Sequence, residues 1–399
     1  MSLWKKTALL RTLSLAALLA ACTALPCAAL EEESSEAEIP TYTSGDYTYS
    51  VLVMQSDESV KAVCIEDYTG SASEVVIPEK IDGMPVLTLG ERAFLNNTEL
   101  EAVTIPASLQ DLGKYAFAAC SSLTEFRVAE GSEYYESVDG VLYAQDQTYL
   151  VRYPIGRRPE EITVPDGVAD IGNSAFADCA LLRKITLPKG LKAIGEGAFT
   201  GCGRLMEITI PEGVEEIEKY TFLSCESLST VHLPESLISI GDGAFARTTL
   251  QSVDLPSKLT YVGEGAFAET GLKEITIPRS VMSIGYSAFG YNLNAEGTLT
   301  AIKDFIIYGT AGSAAQDYAE DEENGGAFLF QPVSAEETTA SASDDSSQAE
   351  TTTVTTAAAA SGIGTGRLIG VIACCAALLA IAVIFIRSLL RGKKKDKQD

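Results

Sequence analysis

The chain has 399 residues, 46% of them apolar, with 55 acidic against 29 basic side chains and a formal net charge of −26. That length admits two or three globular domains. A surface this acidic repels nucleic acid and anionic lipid and so excludes both as partners for most of the chain.

Residues 1–29 read as a secretion signal: Lys5, Lys6 and Arg11 precede an apolar run from Leu13, a breaker at Pro26 and small residues. Two processing sites compete. Leu19-Ala20-Ala21-Cys22 resembles a lipobox that would leave a lipidated Cys22, whereas Cys27-Ala28-Ala29 suits ordinary cleavage before Leu30. Residues 30–44 form an acidic flexible segment. Within 45–332, 47–54 and 60–67 read as an N-terminal hairpin cap.

The centre of the chain is periodic. A phenylalanine recurs at 94, 117, 176, 199, 222, 245, 267 and 289, in steps of 23 or 22 residues apart from the interval 117–176. A proline lies eleven residues before seven of them, from Pro106 to Pro278. Such a period specifies a solenoid. In the unit LRKITLPKGLKAIGEGAFTGCGR, Leu182, Ile185 and Leu187 have the spacing of a short strand that Pro188 ends. Leu191 and Ile194 point inward along a second extended piece. Gly195 permits a tight bend, Ala198 and Phe199 fill the turn, and Cys202 closes the coil. One coil is too thin to bury its own apolar face, so neighbours must stack about 4.8 Å apart, the spacing of paired strands. One unit carries Glu218 where the others have glycine. If the glycines need positive φ, Glu218 should be strained; if not, they serve close packing.

The long interval holds one repeat plus an insertion at about 128–160, in which 141–143 and 149–153 alternate as a hairpin around Gln145-Asp146-Gln147. It is expected to project as a flap or form an irregular coil. Beyond the last repeat, 305–310 reads as a strand, the next stretch as a short helix, and 327–330 as a final strand, together a small αβ cap. Residues 333–366, rich in Ser, Thr and Ala, suit a disordered spacer. Leu368 to Ile386 is uncharged and long enough to cross a bilayer, giving a transmembrane helix over 367–387 and a basic tail over 388–399. The positive-inside bias places the tail in the cytoplasm and the rest outside the plasma membrane. Without leader, membrane flanks and tail, 19 basic and 53 acidic residues remain, about −34 in charge.

The repeat pattern, as in LMEITIPEGVEEIEKYTFLSC, resembles the bacterial leucine-rich repeat proteins called BspA-like. The insertion SVDGVLYAQDQTYLVRYP and the closing FIIYGTAGSAAQDYA are similar to segments of that family. The resemblance implies a curved, mostly β solenoid on a secreted or surface-anchored protein that binds extracellular proteins or glycans in adhesion or colonisation. It brings no catalytic residues and no cofactor. The alternative is a structural or sensory module acting through partners in its own envelope.

Outward positions of the first strand form a column: Thr163, Thr186, Thr209, His232, Asp254 and Thr276. Threonine is a good strand former, so stacked threonines follow from the fold alone; a flat polar ligand face is the functional reading. His232 and Asp254 are expected to be neighbours, but no Ser or Cys nucleophile accompanies them, so no catalysis is assigned. Tyr143, Tyr149 and Tyr153 make the insertion a second candidate surface, with core packing the competing role. Cys179, Cys202 and Cys225 should stack as buried thiols. No metal-type CxxC spacing and no P-loop, dinucleotide or HExxH motif occurs.

Overall fold

The computed structural model describes residues 40–54, 57–294, 297–321 and 328–333. The leader with Cys22, the spacer, the 367–387 segment and the tail lie outside the described residues. Among those described, no helix is long and apolar enough to cross a membrane.

The described chain is a stack of short parallel strands with one helix. It opens with an antiparallel sheet of Thr41–Ser44, Tyr47–Met54 and Asp57–Tyr68, whose last strand pairs in parallel with Met84–Leu89 and starts the stack. It closes with Ile306–Gly309, the helix Ala314–Glu320 and Leu329–Pro332. Between them each regular coil sets a three-residue strand such as Lys184–Thr186 against a two-residue strand such as Ala193–Ile194. The burial pattern exposed–buried–exposed recurs at Lys184–Thr186, Glu207–Thr209, Thr230–His232 and Glu274–Thr276, so only the central apolar residue reaches the core, and in Glu161–Thr163 the central Ile162 packs against it half-buried.

An aromatic column runs through that core. Phe176, Phe199, Phe222, Phe245, Phe267 and Phe289 stack ring on ring at centroid distances of 5.3, 5.4, 5.2, 5.1 and 5.0 Å. Backbone bonds run beside it, the Phe N–H donating to the next coil, as from Phe176 to Ala198 at 2.8 Å. Cys120, Cys202 and Cys225 close their coils by donating Sγ–H to the carbonyls of Phe94, Phe176 and Phe199 in the preceding coil. Where threonine replaces cysteine, Thr248 and Thr270 donate to Phe245 and Phe267 of their own coil at 2.9 and 3.0 Å. In these coils the position holds a small side chain that donates to a phenylalanine carbonyl, and all five described cysteines are free thiols.

The bend is not at Gly195. Left-handed backbone lies two residues later, at Gly197 (φ 62°), and again at Gly201 (φ 73°), and equivalent sites hold Ser174, Tyr220, Asp178 and Ser224. Gly195 serves close packing instead: a Cβ there would come 2.7 Å from the Asn173 amide nitrogen and 2.8 Å from the Gly172 carbonyl carbon. Gly241 is equally crowded against the Lys219 nitrogen at 2.6 Å. Glu218 has no positive φ, so it carries no strain of that kind. Its cost falls on the ladder. Among the described residues, the two-residue strands form one sheet ending at Ala193–Ile194 and another starting at Glu216–Ile217, with no pairing between them. The side chain that replaces glycine sits at that interruption.

The insertion does not project as a flap. Tyr135–Val138, Val141–Ala144 and Tyr149–Arg152 form an antiparallel meander, and the last of these strands pairs in parallel with Asp170–Ile171. Val141–Ala144 is a partition between two hydrophobic cores. Alternation sends Leu142 into the N-terminal core and Val141 and Tyr143 into the C-terminal one. Tyr153 takes the phenylalanine position of this coil and stacks on Phe176 at 5.5 Å. On the other side Phe117 stacks on Phe94 and meets Phe126 edge-on, so the aromatic column is in two runs.

Candidate functional site

The first strand of each coil places one side chain outward on either side of its buried central residue. Thr163, Thr186, Thr209, His232, Asp254 and Thr276 are all exposed. They do not share one sheet. Thr163 pairs with Thr186 and Thr209 with His232 in a four-stranded parallel sheet that ends at Thr230–His232. Asp254 lies in a segment without strand, where the repeat shortens to 22 residues, and Thr276 pairs with Tyr308 in the closing sheet. His232 turns away from Asp254: its Nε2 is 3.4 Å from Glu207 Oε1 in the preceding coil, both side chains being exposed. That exposed contact is an ion pair only when the imidazole is protonated and carries small energetic weight, and the arrangement offers no nucleophile for an imidazole to activate.

The columns beside this face are charged. Arg127, which follows Thr104 in the outward column itself, reaches into the neighbouring column to Glu74 at 3.0 Å and Glu125 at 2.9 Å. Glu161, Lys184 and Glu207 follow in register with alternating sign. Where the face loses its strand, Thr248, Thr249, Gln251, Glu269, Lys273 and Glu274 line an open recess of about 740 Å³. Burial pushes the Glu269 carboxyl up, against the opposing pull of Arg247.

Of the tyrosines in the insertion, Tyr143 is buried and Tyr153 stacks in the core column, so both serve packing. Tyr149 remains 37% exposed, and Tyr134 is 41% exposed. Their surroundings include Asp111, Lys114, Arg152 and Asn173, none of which the repeat pattern singles out. The signal available in the sequence was the extra length between Phe117 and Phe176, which forces the stack to open somewhere. Among the described residues no cluster of His, Cys, Asp and Glu could hold a metal ion.

The buried thiols are poor nucleophiles. Burial pushes Cys120 up to about 11 and raises Cys202 and Cys225 further.

No curated protein matches the chain. Among solved structures it is similar to a leucine rich cell surface protein from Faecalibacterium prausnitzii A2-165, at 24% identity over 70% of this chain and 67% of that one, with a TM-score of 0.35. It is also similar to a leucine-rich repeat protein from Bacteroides ovatus, at 22% identity over 73% of this chain and 76% of that one, with a TM-score of 0.40. The leucine rich repeat protein of T. pallidum matches at 25% identity over 51% of this chain and 88% of its own length, with a TM-score of 0.33. The family of the repeat is settled by the sequence itself: six copies of the BspA type leucine rich repeat region match residues 58–138 and 169–296, just over half of the chain. The chain belongs to the BspA-type leucine-rich repeat family of bacteria.

Proposed function

We propose that this chain is a bacterial surface protein, anchored through its C-terminal apolar segment, that binds extracellular protein ligands on its strand face in adhesion or colonisation. The observation that carries this reading is the face itself. Thr163, Thr186, Thr209 and His232 stand exposed on a parallel sheet whose central residues lie in one continuous core or pack against it. Regular solenoids use such extended faces to bind other macromolecules, with little loss of entropy because the backbone is already ordered. The reading is therefore one of recognition, carried by the exposed face rather than by any enclosed site.

The test is capture of matrix proteins, mucins and bacterial surface fractions on the immobilised chain, with Thr186→Arg and Thr209→Arg as variants. A specific ligand whose retention falls at least tenfold in both variants supports the reading. Absence of any specific ligand, or a ligand indifferent to both, counts against it.

A further inference from the structure

We infer that the junction between the second coil and the insertion is a saccharide-binding cleft, taking one or two rings of a neutral pyranose chain. The two-residue strand Asp111–Leu112 pairs with Met84–Leu89 on one side and, among the described residues, with no strand on the other. The next two-residue position belongs to Tyr149–Arg152, which pairs with Val141–Ala144 and Asp170–Ile171 instead. The opening so left has a volume of about 300 Å³, at the small end of ligand clefts.

Its lining combines aromatic rings with polar groups. Tyr149 lies beside the bare Cα of Gly172, where a Cβ would come 3.0 Å from a ring carbon and 3.1 Å from the hydroxyl, and more than a third of the residue stays open to solvent. Tyr134 is held at the mouth by its turn: its carbonyl accepts from the Gln145 N–H at 3.0 Å, and the next N–H, of Tyr135, donates to Ser132 Oγ at 3.2 Å. Gln110, Asp111 and Asn173 add amide and carboxylate groups around them. A pyranose presents both halves of that chemistry, an apolar C–H face for a tyrosine ring and a rim of hydroxyls for amides and carboxylates.

Two other occupants fit less well. A peptide adding a strand would find an edge only two residues long, and the Gln110 carbonyl beside it already accepts from Tyr135 Oη at 3.2 Å. An anionic sugar would need an available cation. Lys114 is committed to Glu196 at 2.8 Å, and Arg152, 3% exposed, donates Nη1–H to the Ser174 carbonyl.

The inference deepens the reading of the chain as a surface binding protein, and its failure leaves the strand face untouched. The test is saturation-transfer NMR on the full chain with trisaccharides of N-acetylglucosamine, glucose, galactose and mannose, and with sialyllactose as the acidic probe. Transfer to at least one neutral series is expected. Affinity should fall about tenfold in Tyr149→Ala and Tyr134→Ala and stay unchanged in Thr186→Arg. Tyr149→Leu keeps apolar cover over Gly172 and should lose binding without a change in thermal midpoint, which separates the ring's contact from its packing. No transfer to any neutral series, transfer to sialyllactose alone, or binding that survives all three tyrosine variants would overturn the assignment.

Discussion

Replacing Glu218 by glycine should make the protein more stable, although glycine is usually a destabilising substitution. At regular junctions two backbone bonds tie one short strand to the next. Lys192 N–H donates to Ala169 O at 2.7 Å and Gly195 N–H to Ile171 O at 2.9 Å; Ile238 and Gly241 do the same for Glu215 and Ile217, both at 2.7 Å. Ala193–Ile194 and Glu216–Ile217 lack that pairing, and Glu218 stands where a Cβ would meet backbone at every neighbouring junction. Two recovered bonds contribute about 1–3 kcal/mol. The extra freedom of glycine in the unfolded chain costs about 0.5–1 kcal/mol. The net gain is about 1 kcal/mol, a thermal midpoint higher by about 2–4 °C. Guanidinium unfolding of Glu218→Gly reads the energy, and hydrogen exchange at the residue 218 amide reads the bond, which should become protected. An unchanged or lower midpoint with an unprotected amide would refute the packing account of these glycines.

Phe199→Ala empties the middle of the aromatic column and should cost about 3–5 kcal/mol in unfolding free energy; exchange protection should fall in the adjoining coils and persist around Phe94. Gly195→Ala, which drives a Cβ into backbone, should destabilise more than Gly197→Ala, whose cost is about 1–2 kcal/mol for left-handed backbone; parallel denaturant titrations compare them. The carboxyls of Asp178, Glu218 and Glu269 are raised, chiefly by burial. The folded chain therefore holds more protons than the unfolded chain above the ordinary carboxylate range, about pH 4. Their effect on stability is favourable below that range and is lost as pH rises through their raised values. Guanidinium midpoints measured from about pH 4 to 7 should show this fall, and Asp178→Asn with Glu218→Gln and Glu269→Gln should flatten it. Iodoacetamide should leave Cys120, Cys202 and Cys225 unmodified in the folded chain, and peptide mapping should find all three alkylated after denaturation.

The stack was legible in the sequence because each inward residue must meet its copy in the next coil, which writes packing as a period. Phe199, Ile194 and Cys202 needed no structure to be assigned inward. The insertion was only half legible. Alternation around Gln145-Asp146-Gln147 gave a hairpin, but a period of two does not tell whether the second face meets water or another core. Leu142 and Tyr143 turned out to face different cores. The role of Gly195 stayed open between two alternatives, because glycine marks both a left-handed bend and a crowded backbone and local sequence does not separate them; the backbone selects close packing. The candidate column from Thr163 to Thr276 was legible as exposed positions. Its division into separate sheets was not, since Asp254 keeps the spacing to Pro256 that Thr186 has to Pro188, although its segment forms no strand. The cleft escaped because Asp111, Arg152 and Asn173 are far apart in sequence, and Asp111 and Asn173 stand at positions of the repeat whose residue type varies from coil to coil.

The two runs of the aromatic column make the insertion a stacking fault in a one-dimensional crystal. Disturbance travels along such a stack from coil to coil, because each coil touches only its neighbours. Fraying that begins at either cap therefore reaches a boundary where Phe117 and Tyr153 exchange no ring contact. The septum Val141–Ala144 closes off both cores at that boundary, so opening on one side leaves the other sealed from water. A grain boundary of this kind limits how far damage spreads in a thin, exposed protein.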